Sequence, residues 1–348
     1  MLMFIATRFG FLIAAFIASI VLGCAGSAQS QDAAAFYKGK TVKFVVGFGT
    51  GGGFDAYARM IAPPLGKALD ASVVVENQPG AGGIIALNRI SASPPDGLNL
   101  MIVDGTPAAL GQLLGQENVR YDLTKLDHLG MISATRFVWL VAVNSPTKTL
   151  ADVLKPGTKV LWGSAGPTDG PTGSAAFSCE ALGISCRVIL GYKGSSDMIL
   201  AMQRGEVDAN YLSDSSAFSL EKSNQARAIT TASRTRSPLL PNVPTIFESA
   251  TLNADQQHLL DYRANLNDLG RILVTSPGTE PQRLAFLRAA IKKVLTEPEL
   301  IAEGARTGRI VEFQEPTAAL GKARSVLEGI STEEKERVRN IALKKYLE

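Results

Sequence analysis

The sequence predicts an α/β fold with parallel sheets. Three observations carry this: apolar strand-like runs alternate with helical patterns along the chain, glycine-rich turns recur between a strand and the helix after it, and the chain is long. Its 348 residues leave about 320 once an N-terminal leader is removed, enough for two domains.

Residues 1–28 read as an export leader. Arg8 supplies a positive charge, 9–22 is an apolar run short for a bilayer span, and Gly26-Ser27-Ala28 offers a small-residue cleavage site. Val21-Leu22-Gly23-Cys24 also has the form of a lipoprotein box, in which Cys24 would be lipidated. Both processing routes stay open, and both place the mature chain outside the cytoplasm.

Strands are expected at 42–47, 72–76, 98–103, 137–143, 159–163, 186–191, 209–212, 228–231 and 271–275. Helices are expected at 54–69, 83–92, 150–154, 173–182, 196–204 and 280–295, with a charged helix over 332–346. Pro63-Pro64 should kink or end the first of these.

Composition excludes several classes. Basic and acidic residues nearly balance, 35 against 32, whereas a nucleic-acid partner calls for a basic face. Two histidines, His128 and His258, leave little for a zinc site; neither metal nor cofactor is expected. Cys179 and Cys186, seven apart in an oxidising compartment, are expected to form a disulfide between the end of a helix and the start of the next strand.

The chemistry concentrates in three glycine loops. In the first, the strand beginning at Val42 runs into Gly47, Gly49, Gly51, Gly52 and Gly53 before a helix starts at Phe54. Such a junction aims unpaired N–H groups at one point, an anion site that glycine lets a ligand approach. Gly52 is expected at positive φ, and Asp55 is placed to pair with Arg59 one turn on, on an exposed helix face. Gly47 to Gly52 also satisfies GxGxxG, with Glu76 ending the next strand, which is a dinucleotide fingerprint. That reading is rejected: the exported chain carries no twin-arginine signal, and a second glycine loop, Asn77 to Gly83, starts immediately after Glu76. Glu76 and Asn77 are expected to fix that second loop. The third, Gly163 to Gly173, offers hydroxyls and backbone donors from the other half of the chain. Two loops, one from each half, could grip a ligand between domains, where small-molecule sites prefer to lie.

With these residues set out, the chain resembles the substrate-binding proteins of tripartite tricarboxylate transporters, the Bug-type receptors. Phe48, Gly51, Gly52, Gly53, Asp55, Ala58 and Arg59 match that family's first loop, and Glu76-Asn77-Gln78-Pro79-Gly80-Ala81-Gly82-Gly83 its ENxPGAGG stretch. Further matches are Pro95-Asp96-Gly97, Lys148-Thr149-Leu150 with Asp152, Gly163-Ser164-Ala165-Gly166, Tyr192-Lys193-Gly194-Ser195, Gly205 with Val207, Ser237-Pro238, and Pro241-Asn242-Val243-Pro244-Thr245. The similarity runs from about residue 40 to 325. It departs at Gly47, Gly49 and Thr50, where the family has prolines. It departs also at Leu212, where an aspartate is expected and Asp214 stands nearby, and at Asp268-Leu269-Gly270-Arg271, in place of an aromatic–glycine stretch.

The resemblance implies a type 2 periplasmic binding protein: lobe one from 32–133 plus 265–348, lobe two from 134–264, and a ligand cleft between them. It implies a periplasmic, monomeric receptor that holds a small carboxylate largely by backbone N–H groups and delivers it to membrane permease subunits, without catalysis. Candidate ligand contacts are Phe48, Gly51, Gly52, Gly53, Asp55, Gly82 and Thr106 from lobe one, and Ser164, Ala165, Gly166, Thr168, Asp169, Lys193 and Asp214 from lobe two. No arginine cluster is expected beside the loops; Arg136 is read as a possible cationic helper. Two rivals remain: a receptor that signals to a sensor, and an exported hydrolase built on Ser164 or Ser174. The hydrolase lacks the GxSxG elbow and an evident base.

Overall fold

The computed structural model describes residues 32–192 and 194–347. The leader, Cys24 and Lys193 lie outside the described residues. Ten strands form two five-stranded sheets.

Sheet one contains β1 (Thr41–Val46), β2 (Ser72–Asn77), β3 (Asn99–Asp104), β4 (Asp127–Ser133) and β10 (Arg271–Thr275), in the order β2-β1-β3-β10-β4. Sheet two contains β5 (Phe137–Ala142), β6 (Lys159–Gly163), β7 (Ser185–Ile189), β8 (Ala209–Ser213) and β9 (Ala226–Thr231), in the order β7-β6-β8-β5-β9. The two orders repeat one plan. β1 and β6, each second in its sheet, are flanked by two parallel neighbours, and one antiparallel strand, β10 or β5, comes from across the molecule.

Helices cover both faces of sheet one. A first helix, α1, spans 32–37. Val42, Phe44 and Val46 pack on α2 (Gly53–Leu69) through Tyr57, Ile61 and Leu65. Val45, Met101 and Val103 face α3 (Ile84–Ser91) and α4 (Gly105–Leu113) on the other side. Strands buried on both faces read as unbroken apolar runs, as β3 does over Leu100–Val103. Contrary to expectation, α2 does not end at Pro63-Pro64. Pro63 and Arg59, whose carbonyl the Pro63 ring opposes, are both exposed, while Ile61, Ala62, Leu65 and Leu69 hold the inner face.

In lobe two, α5 (Leu150–Val153) starts with a capping box from Thr149 and Asp152. Then follow α6 (Gly170–Leu182), α7 (Ser195–Gln203), α8 (Asp214–Lys222), α9 (Ile246–Ser249) and α10 (Ala254–Asn267). Trp139, Trp162 and Tyr211 make an aromatic layer, with Trp162 and Tyr211 stacked at 4.9 Å. After β10 come α11 (Pro281–Leu295), α12 (Pro298–Arg306), α13 (Pro316–Leu327) and α14 (Thr332–Asn340).

The chain passes between the sheets at 134–136 and again at 268–270. These crossings are packed backbone to backbone. Gly270 has φ 48°, and a Cβ there would overlap the Ser133 carbonyl oxygen and come within 2.7 Å of Ala134 Cα. Gly105 N–H donates to Gly270 O at 2.9 Å, and Thr135 N–H to Asn267 O at 3.1 Å.

The tail departs from the expected division. α11 and α13 pack on sheet one, but the segment after α14 lies against lobe two. Val188 N–H donates to Tyr346 O at 2.7 Å, Leu347 bridges Val188, and Lys345 pairs with Glu180 of α6. The edge strand β7 offers an unpaired row of backbone groups that this segment takes up.

Cys179 of α6 and Cys186 of β7 are disulfide-bonded, as their spacing predicts. Closing so short a loop should stabilise by about 2.5 kcal/mol. Reduction is therefore expected to lower the urea midpoint; an unchanged midpoint with both thiols alkylated would count against a stabilising bridge.

Candidate functional site

Both crossings join the carboxyl edges of the parallel strands, so those edges form the walls of the cleft. Ligands in open α/β sheets bind at such edges. On the lobe-one wall, the first two glycine loops touch. Gly47 follows β1 so closely against Gly83 that a Cβ on Gly47 would lie 2.6 Å from Gly83 Cα. Phe48, Gly82 and Gly83 border a small cavity floored by Met101, Val103 and Asp104.

A side-chain chain holds loop one. Asp55 Oδ2 accepts from Gly51 N–H at 2.8 Å and from Arg59 Nε at 2.9 Å. Arg59 Nη2 reaches Asn77 Oδ1, and Asn77 Nδ2 donates to Phe48 O at 3.0 Å. Phe48 and Phe54 stack at 4.7 Å. The Asp55–Arg59 pair forms as its spacing predicts, but Asp55 is buried beneath the loop rather than exposed. Its hydrogen bond from Arg59 holds its carboxyl below the usual carboxylate range. Its Oδ2 braces the loop. Gly51, not Gly52, takes positive φ (80°), while Gly52 is extended at −78°. Gly52 begins α2 with no side-chain cap, so no capping side chain takes the first N–H groups of α2.

Asn77 is structural as expected, although it fixes loop one rather than the loop that follows it. Glu76 lies 3.4 Å from Lys43 and accepts from Gln78, committed away from any ribose position.

On the lobe-two wall, the expected donors are already taken. Asp169 caps α6 through Thr172 N–H at 2.8 Å, and its carboxylate also accepts from Ser164 Oγ, Ala165 N–H and Gly166 N–H. The loop that was expected to cradle a ligand carboxylate instead holds one of its own. Ser164 is buried, and its Oγ also receives the Thr172 hydroxyl. Ser164, Ala165, Gly166 and Asp169 are thus joined to one another.

Thr106 is fully buried and donates its hydroxyl to Leu266 O at 2.9 Å, which joins α4 to α10. Asp214 is also buried, held by Ser237 Oγ and Ser215 N–H. Burial pushes its carboxyl above the usual range.

The structure also assembles residues that the sequence does not group. Asp104 caps α4 through Thr106 N–H. Part of its surface stays open, yet desolvation by the surrounding protein pushes its carboxyl up to about 6. Arg263 of α10 and Arg271 of β10, 1% and 3% exposed, stand at the same edge. Arg263 donates to Gly170 O at 2.7 Å and to Ser174 Oγ, and burial brings it down to about 10. Arg136, on the other crossing, lies 3.5 Å from Glu312. The absence of arginines expected near the loops is therefore corrected. The one signal available was the departure at Arg271.

Ser164 faces Asp169, Ser174 faces Arg263, and the histidines are elsewhere: His128 bonds Leu123 O within lobe one, and His258 meets Glu334 on the surface. Among the described residues, no group of three His, Cys, Asp or Glu side chains could hold a metal.

Residues 57–308 match the family model described as the tripartite tricarboxylate transporter family receptor. The chain belongs to this family. Receptors of the family share both sequence and fold with it. It is 26% identical over 330 residues to Protein BugT of Bordetella pertussis, covering 90% of this chain and 93% of that one. The periplasmic binding protein BugD superposes with a TM-score of 0.71 at 20% identity, over 90% of this chain and 100% of BugD. MatC from Rhodopseudomonas palustris, solved with bound malate, gives 0.68 at 23%, over 87% and 99%. An R. palustris protein solved with adipate gives 0.71 at 20%, over 87% and 97%. As the resemblance implied, the receptor fold has two α/β lobes, and none of its described helices is long and apolar enough to cross a membrane.

Proposed function

We propose that this receptor binds a small carboxylate in the interlobe cleft, in the periplasm and as a monomer, and delivers it to the membrane subunits of a tripartite transporter. The observation that carries this is the uncapped start of α2, set against the second glycine loop at the carboxyl edge of sheet one. The bound malate and adipate of MatC and its R. palustris relative support the ligand class.

A helix N-terminus contributes about 0.3–1 kcal/mol to an anion, and up to ~2 when partly buried, whereas a micromolar ligand needs about −8 kcal/mol. Lobe closure has to supply the remainder by burying the ligand and shortening charge-assisted hydrogen bonds. Lobe two then acts as a clamp, because its own loop donors are occupied by Asp169.

The test is calorimetric titration of a panel of small organic acids against their fully esterified forms. Acids are expected to bind and esters of the same shape to fail, by about tenfold or more. Esters binding as well as acids would overturn the anion cradle.

A further inference from the structure

The carboxyl edge of sheet one carries a charge that no carboxylate of the described residues contacts. Arg271 opens β10 and pairs in register with Asp104 on one side and Ser133 on the other. It is 3% exposed. Its Nη1 meets only neutral acceptors, Ser133 Oγ at 3.1 Å and Ala134 O and Thr135 Oγ1 at 3.5 Å, and its Nε is buried without a partner. The acids whose charges reach it are committed elsewhere, Asp104 to Thr106 N–H and Asp214 to Ser237 and Ser215.

Its guanidinium carbon lies 4.4 Å from the Tyr57 ring centre and 5.4 Å from that of Phe54. Aromatic faces take the plane of a guanidinium and leave its N–H edges, the part that grips a carboxylate with two bonds. Phe54 is the second residue of α2, so this group stands beside the helix start described above. Arg136, on the neighbouring crossing, also buries an Nη1 without a partner. Buried cations are ordinarily paired, and leaving one unpaired is costly.

We propose that Arg271 contacts the ligand and takes a second acid group of a solute whose first acid group lies on the glycine loops, which makes an open-chain dicarboxylate the preferred class. This rests on the carboxylate-receptor reading. It gives a specificity role to the position at which the sequence leaves the family's aromatic–glycine stretch.

The test titrates straight-chain dicarboxylates of four to eight carbons, and the monomethyl ester of each, into wild type, Arg271→Met and Arg271→Gln, with melting curves alongside. In wild type, removing one charge from the tightest diacid is expected to weaken binding about tenfold or more. Both variants should lose diacid affinity by a similar factor and leave the monoester unchanged, so the preference disappears. If Arg271→Met does not fold, Arg271→Gln, which can keep the Ser133 bond, carries the same expectation. A variant that retains the preference, or a wild type that takes diacid and monoester alike, overturns the role of Arg271 and leaves the receptor reading intact. A wild type that takes none of these diacids overturns the dicarboxylate preference, and the receptor reading falls only if the wider panel of organic acids fails as well.

Discussion

Replacing Gly270 by alanine is expected to cost about 4 kcal/mol or more, the range reached only by the most disruptive single changes. Two effects add. An L-residue at φ 48° pays about 1–2 kcal/mol for the left-handed region. The new methyl would also overlap the Ser133 carbonyl and crowd Ala134 Cα, and both are backbone that cannot swing aside. Separating the two crossings would stretch the bond from Thr135 N–H to Asn267 O. Gly278→Ala is the control, because Gly278 also has positive φ (83°) but nothing within 4 Å of a Cβ. It should pay only the conformational cost. Urea unfolding of the two variants decides the matter: equal losses would mean that the crossings are not in tight contact.

Asp169→Ala is expected to destabilise by about 3 kcal/mol. The variant loses a helix cap, worth about 1 kcal/mol. It also strands the Ala165 and Gly166 N–H groups and the Ser164 hydroxyl, where bonds to a charged acceptor are worth about 1.5–3 kcal/mol each, discounted here because the loop is partly open to solvent. Asp169→Asn keeps an oxygen for the cap and should lose less. Formate should restore the alanine variant by occupying the vacated position, and should act little on wild type. Formate raising both midpoints equally would show that Asp169 is not the loop's internal anion.

Much of the fold is legible because β3 and β10 are buried on both faces and glycine turns punctuate the strands. β1, β2, β3, β6 and β10 fall within a residue or two of expectation. α4 was missed: Gly105, Pro107 and Gly111 resemble a loop, and burial on nearly every side erases helical periodicity. β4 was missed because His128 and Gly130 interrupt its apolar run. α6 starts earlier than expected, although Asp169 followed by Pro171 is a helix-start signal. The site was less legible. Sequence shows which residues carry donors, but not which acceptor consumes them, and Asp169, Asp55 and Leu266 consume those of Ala165, Gly51 and Thr106. Arg263 and Arg271 are distant in sequence from the loops they stand beside, and only the crossings bring them there.

The route of the tail constrains how the cleft can work. Two adjacent crossings make a hinge that bends and twists with similar ease. The tail adds a third attachment away from that axis: α13 lies on sheet one, Arg339 of α14 donates to Leu114 O, and the last described residues line β7. A body joined at three points that do not share a line keeps fewer rigid-body freedoms than one joined at two. Closure is therefore steered toward a single rotation that leaves the tail's span nearly constant. Probes on α13 and on Lys344 would ride on different lobes although they are close in sequence. They would report that rotation from outside the two crossings.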